Sequence, residues 1–190
     1  MTTGARPRPY FADMKKIVLT FGLISGFCSV ILMAIFTPCL GGAVDFEYGE
    51  IVGYTSMIIS FVMVFFGIRS YRDNVAGGSL TFGRAFKVGL LITLIACAVY
   101  VVSWEIYFFN FDPGFAEKYA AHVIKTLRES GASAATIAAE QKKMADFQVW
   151  YRNPLLNVGM TFLEIFPVGL VMTLVSAAIL RRRPMEPALA

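Results

Sequence analysis

The sequence predicts an all-α membrane protein: four transmembrane helices, both termini cytoplasmic, and an extracytoplasmic helical hairpin between spans three and four. Three observations predict it. Four apolar runs are present, basic residues stand beside them in an uneven pattern, and a polar insert with its own helix signals separates the last two. The runs are Ile17–Leu40, Ile51–Ile68, Val88–Phe109 and Leu155–Leu180. A helix rises about 1.5 Å per residue, so roughly 20 apolar residues cross a hydrocarbon core. Of the 190 residues, 57% are hydrophobic and 16% charged, against about 25% charged in soluble domains. One domain is expected over residues 14–183, with a disordered basic arm before it (1–13) and a short tail after it (184–190).

Basic residues set the orientation. They fall in three blocks: Arg6, Arg8, Lys15 and Lys16; Arg69, Arg72, Arg84 and Lys87; and Arg181, Arg182 and Arg183. The loop Thr37–Gly49 has no Lys or Arg and carries Asp45 and Glu47. The positive-inside bias therefore puts the three blocks in the cytoplasm. Blocks this short, beside apolar runs, exclude a nucleic-acid surface. Met14, Lys15 and Lys16 resemble a signal-peptide start, but the apolar stretch after them is too long and no A-x-A site ends it, so span one is expected to be retained.

Span one carries Gly22 and Gly26 as G-x-x-x-G, and span two carries Gly53, Ser60 and Gly67 on a stripe of small residues. Small residues let helix backbones approach closely in lipid. Packing within the bundle is the plain reading, and a dimer face at Gly22 and Gly26 is the alternative. Asp73, Asn74, Gly77 and Gly78 form a turn, after which Ser79 or Thr81 can cap span three. Tyr100, Trp104, Tyr107, Phe108 and Phe109 form an aromatic belt at its outer end. In the insert 110–153, Asp112-Pro113 predicts a helix start. Phe115, Tyr119, Val123 and Leu127 share one apolar face, Gly131 ends that helix, and Ser133 caps a second whose apolar face holds Phe147 and Tyr151. This hairpin is expected to lie on the membrane or the bundle.

Glu164 is the strongest single clue. A charge near the bilayer centre costs about 2.5–3.5 kcal/mol, so an intramembrane acid has a partner or a purpose. Asn157, Thr161 and Glu164 are spaced four and three, on one helical face expected to point into the bundle. Two readings stay open: a proton or cation site, or a protonated, hydrogen-bonded structural acid. Glu50 and Glu105 at the outer ends of spans two and three, with Tyr54, form either an acidic cluster with Glu164 or plain interfacial carboxylates. His122 is the only histidine, and no spacing of metal ligands accompanies it. Arg69, Arg72, Arg84 and Lys87 suit anionic lipid headgroups, although topology alone accounts for them.

The segments Gly67–Asn74, Phe82–Gly89 and Thr161–Gly169, with Glu50, Gly53, Tyr54 and Tyr151–Pro154, resemble an uncharacterised bacterial membrane family, DUF4199, over about Met14–Arg183. The resemblance implies a four-span protein of the bacterial inner membrane and supplies no activity. No nucleophile–base pair, metal motif or nucleotide loop is visible, so no catalytic residue, metal or cofactor is assigned. Membrane lipids are the expected partners, with a homodimer as an alternative to a monomer and no protein partner specified. The first functional reading is a non-enzymatic interaction or accessory protein. The alternatives are a dimeric small transporter using Glu164 for proton or cation coupling, and an intramembrane hydrolase or transferase built on Glu50, Glu105, Glu164 and His122.

The orientation is directly testable. A cysteine at Ser133 is expected to react with a membrane-impermeant thiol reagent without permeabilising the inner membrane. Labelling only after permeabilisation would invert the topology.

Overall fold

The computed structural model describes residues 10–39 and 46–182; the side chains of residues 10–12, 36–39, 46–48 and 50 also lie outside the described residues. The described chain is helical: α1 Tyr10–Cys39, α2 Phe46–Asn74, α3 Phe82–Asn110, α4 Phe115–Glu129, α5 Ala134–Tyr151 and α6 Pro154–Leu180. Four of them are long and apolar enough to cross a membrane, over Asp13–Ile35, Ile51–Asn74, Phe82–Asn110 and Pro154–Leu180. The apolar runs thus locate the spans, and the helices outrun them. Helix α1 begins at Tyr10, inside the segment expected to be a disordered arm, with Asp13 in its first turn, where a negative charge suits the helix dipole.

The four long helices run up and down. Helices α1 and α6 lie on opposite sides, each packed on both α2 and α3, which form the shorter diagonal. Small residues make the close approaches. A Cβ placed on Gly22 would come within 2.7 Å of Ile95, and one on Gly26 within 2.6 Å of Val99. The G-x-x-x-G face is therefore filled by α3 of the same chain, not left open for a second copy. Gly67 meets Ile92 and Phe21, Gly89 meets Ile68 and Thr173, and Gly169 meets Thr93 and Phe61. Gly53, expected to pack, faces open space: a Cβ there would have nothing within 4 Å.

Hydroxyls complete the contacts. Ser25 donates to the Ser60 carbonyl at 2.8 Å, joining α1 to α2. Thr93 and Thr173 meet at 2.8 Å, joining α3 to α6. Such interhelical bonds contribute about 0.6 kcal/mol each on average. At the end of the bundle away from the hairpin, Phe61, Val64, Ile68, Ile92, Val88 and Ala177 are sealed from the surface. There the link between α2 and α3 turns through Gly77 and Gly78, both at positive φ. Leu80 then pairs through its backbone with Arg182, tying the link to the far end of α6. Arg69 and Arg72 both pair with Asp73, while Arg84 and Lys87 are exposed. Thr81 is the N-cap residue of α3 but makes no side-chain capping bond.

The hairpin follows its punctuation. Gly131, at φ 75°, ends α4, with Ala132 N–H bonded back to the Leu127 carbonyl. Ser133 caps α5 by accepting from Thr136 N–H, and Asn153 caps α6, whose first residue is Pro154. The expected start of α4 at Asp112-Pro113 is displaced to Phe115. The Asp112 carboxylate is held by Lys118 at 2.9 Å instead of capping, and residues 112–114 form a turn.

Gly26 and Gly53 make a matched pair. Gly26→Ala is expected to destabilise the bundle by about 1–3 kcal/mol through overpacking against Val99. Gly53→Ala is expected to be neutral or to stabilise by up to about 1 kcal/mol, since alanine favours the helix. Unfolding in mixed micelles checks both, and equal losses at the two positions would contradict the packing described.

Candidate functional site

Gly53 faces a cleft of about 730 Å³ at the hairpin end of the bundle. Every long helix contributes to its lining: Ser29, Leu32 and Met33 from α1, Gly49, Val52, Gly53, Tyr54, Ser56 and Met57 from α2, Tyr100, Trp104 and Tyr107 from α3, and Met160, Thr161, Leu163 and Glu164 from α6. Phe115 and Tyr119 of α4 and Phe147 and Tyr151 of α5 add the hairpin's root. Tyr100 stands ten residues before the end of α3 and Glu164 ten residues after the start of α6. At helical rise both lie roughly 15 Å from that end, about half of a hydrocarbon core. The cleft therefore stops where the sealed core begins.

The aromatic wall is built on a buried polar hinge. Asn157, fully buried, donates from its amide to the Tyr151 carbonyl at 3.0 Å. Its own side-chain oxygen accepts from the Thr161 hydroxyl at 3.1 Å. These bonds fix the end of α5 against the first turns of α6. Tyr151 then packs edge-on to Phe108 at 5.1 Å and lies against Phe147 at 4.8 Å. Phe115 meets the Trp104 indole edge-on at 5.1 Å, an arrangement that aromatic quadrupoles favour. Burial pushes the Tyr151 phenol above its ordinary range, and the nearby Glu164 carboxylate pushes it further. The buried Trp104 indole N–H lies near that phenol without hydrogen-bond geometry.

The residues singled out in the sequence part company here. Glu164, Thr161 and Tyr54 line the cleft. Asn157 is buried behind it as a positioning residue. Glu164 does not turn into the bundle core with Asn157 and Thr161; it is more exposed than either and sits at the cleft wall beside Leu163. Glu105 is absent from the lining, and the side chain of Glu50 lies outside the described residues. His122 stands on α4 with the Thr126 hydroxyl 3.5 Å from its ring nitrogen, away from the cleft. Among the described residues, no three His, Cys, Asp or Glu side chains group as metal ligands.

Tyr100, Trp104 and Tyr107, which in the sequence look like a membrane-surface belt, belong to the cleft. Their spacing of four and three puts them on one face of α3, whereas an annular belt would have no preferred face. Phe115 with Tyr119, and Phe147 with Tyr151, carry the same four-residue signal on the hairpin.

The family model for "Protein of unknown function (DUF4199)" matches residues 20–182, so the chain belongs to that family. No curated protein and no solved structure matches it.

An ion pair holds the hairpin root. Arg152 donates to the Glu117 carboxylate, joining the α5–α6 link to α4. That hydrogen bond holds the Glu117 carboxyl below its ordinary range. A lowered folded-state value means stabilisation that is complete above the ordinary glutamate range and is lost as pH falls through the folded value. Arg152 is well exposed and Glu117 partly so, and Arg152→Ala is expected to cost about 1 kcal/mol at neutral pH. Hydrogen exchange in α4 checks this: the difference between wild type and variant should shrink on acidification. A difference that grows instead would assign the wrong sign.

Proposed function

We propose that this DUF4199 protein is a non-enzymatic, multi-pass protein of the bacterial inner membrane that holds an amphiphilic ligand in its cleft. The observation that carries the reading is a cleft of about 730 Å³ walled by aromatic and aliphatic side chains, with a single acid among the lining residues described. Its volume falls within the range of small-molecule sites, which are mostly apolar with few polar groups. Lying at the hairpin end, it would stand in the extracytoplasmic half of the membrane in the orientation expected from the basic blocks. In that orientation Arg69, Arg72, Arg84 and Lys87 meet cytoplasmic headgroups.

A dimeric transporter coupled through Glu164 is the second reading, favoured by the position of Glu164 on the cleft wall. Phe61, Val64, Ile92 and Ile165 are fully buried beyond the cleft, so transport would require a second copy or a large rearrangement. The hydrolase reading has less support, because Glu105 and His122 do not join Glu164 in the lining.

Trp104 reports on the cleft once the other tryptophan is replaced, in a Trp150→Phe background. A monoacylglycerol with a brominated chain is expected to quench Trp104 saturably in nanodiscs. Gly53→Phe, which fills the cleft from a position free of contacts, is expected to abolish the saturable part. Quenching that never saturates and is identical in Gly53→Phe would leave only bulk lipid contact and overturn the reading.

A further inference from the structure

The chemistry of the lining narrows the ligand class, on the premise that the cleft is a ligand site. Tyr54 from α2, Tyr100 and Trp104 from α3, and Tyr151 at the end of α5 surround it, and the Glu164 carboxylate stands on the α6 wall. Aromatic faces carry negative potential and attract cations, most strongly where water is excluded. Glu164 shares this lining with Tyr100 and Tyr151, so the one acid among the described lining residues stands in the same cleft as these rings. Among the described lining residues there is no Lys, Arg or His. Sites for phosphate or carboxylate have the opposite character, with guanidinium or ammonium groups aimed inward. Leu32, Met33 and Met160 supply an aliphatic surface in the same cleft, and methionine adapts to varied apolar shapes.

We infer that the cleft takes a hydrophobic organic cation, an alkyl-substituted ammonium with an apolar tail and no phosphate beside its charge. The head sits among Tyr100, Trp104, Tyr151 and Glu164, where ring faces and the carboxylate replace water around it. The tail lies on Leu32, Met33 and Met160. A zwitterionic phospholipid head brings its phosphate into a lining without a cation to receive it, and so fits less well.

Three amphiphiles with one chain length isolate the head. The Trp150→Phe protein in nanodiscs of zwitterionic lipid is titrated with dodecyltrimethylammonium, dodecylphosphocholine or dodecyl maltoside, each referred to its mole fraction in the membrane. Trp104 emission is expected to saturate with the ammonium compound at about tenfold lower mole fraction than with either other compound, a preference in reach of one desolvated cation–π and charge pair. Glu164→Gln is expected to erase most of that advantage and Glu164→Asp to retain it. If those variants do not fold, the three-compound comparison on the Trp150→Phe protein still decides. Equal saturation by all three, or tighter binding of the phosphocholine, would overturn the cation assignment and leave the amphiphile site standing. No saturable response to any of them would overturn both.

Discussion

Inside lipid no water completes a hydrogen bond, and the polar framework of this bundle is arranged around that constraint. Each of the buried side-chain hydrogen bonds that join two elements is closed within the chain. Ser25 reaches the Ser60 carbonyl, Thr93 meets Thr173, and Asn157 bridges the Tyr151 carbonyl and the Thr161 hydroxyl. The last of these matters most for the site. Asn157 lies one turn into α6, after a helix start set by Asn153 and Pro154, and an unmet amide there would cost several kcal/mol in hydrocarbon. Its bond to Tyr151 therefore couples the position of the hairpin to the register of α6, and through that register to Thr161 and Glu164.

The glycines divide the bundle into a closed half and an open half. Gly67, Gly89 and Gly169 each stand where a methyl group would strike a neighbour, and the side chains around them are sealed. Gly53, nearer the hairpin, meets nothing. The same residue type thus permits close approach at one level and leaves room at another. The difference lies in what stands opposite: bulky Ile92, Ile68 and Phe61 in the closed half, and the outward walls of a cleft in the open half. A helix bundle in lipid gains stability from dispersion contacts rather than from expelling water. An unfilled half of the interior gives up those contacts, a loss that the proposed ligand would recover.

The number and place of the spans were legible in the sequence because twenty-odd apolar residues admit few other readings. The hairpin was legible through its punctuation at Gly131, Ser133 and Pro154. The start of α4 was not, because Asp112 had two uses, as a cap or as the partner of Lys118, and only the folded geometry ranks them. The small-residue stripes announced close packing without naming the partner: Gly22 and Gly26 meet α3, and Gly53 meets no helix. The candidate site was half legible. Glu164 and Thr161 stood out because polar residues in a span are costly, whereas the aromatic wall did not. Aromatic residues near a membrane surface have a ready explanation as anchors, and the one-sided spacing of Tyr100, Trp104 and Tyr107 is visible only when that explanation is set aside.

A cleft wall drawn partly from the α4–α5 hairpin depends on how that hairpin is held. Phe115, Tyr119, Phe147 and Tyr151 are carried by helices that are held at their root by Asp112 with Lys118, Glu117 with Arg152, and the Asn157 hinge. The first two ties are charge pairs whose basic partners are exposed, so both are weakened by salt, while the hinge is buried and costly to break. The hairpin is therefore joined to the rest of the aromatic wall through contacts of graded strength. Breaking the ion pairs costs less than breaking the hinge, which joins Tyr151 to the start of α6. Since α6 also carries Glu164, displacement of that joint changes the ring wall and the carboxylate together.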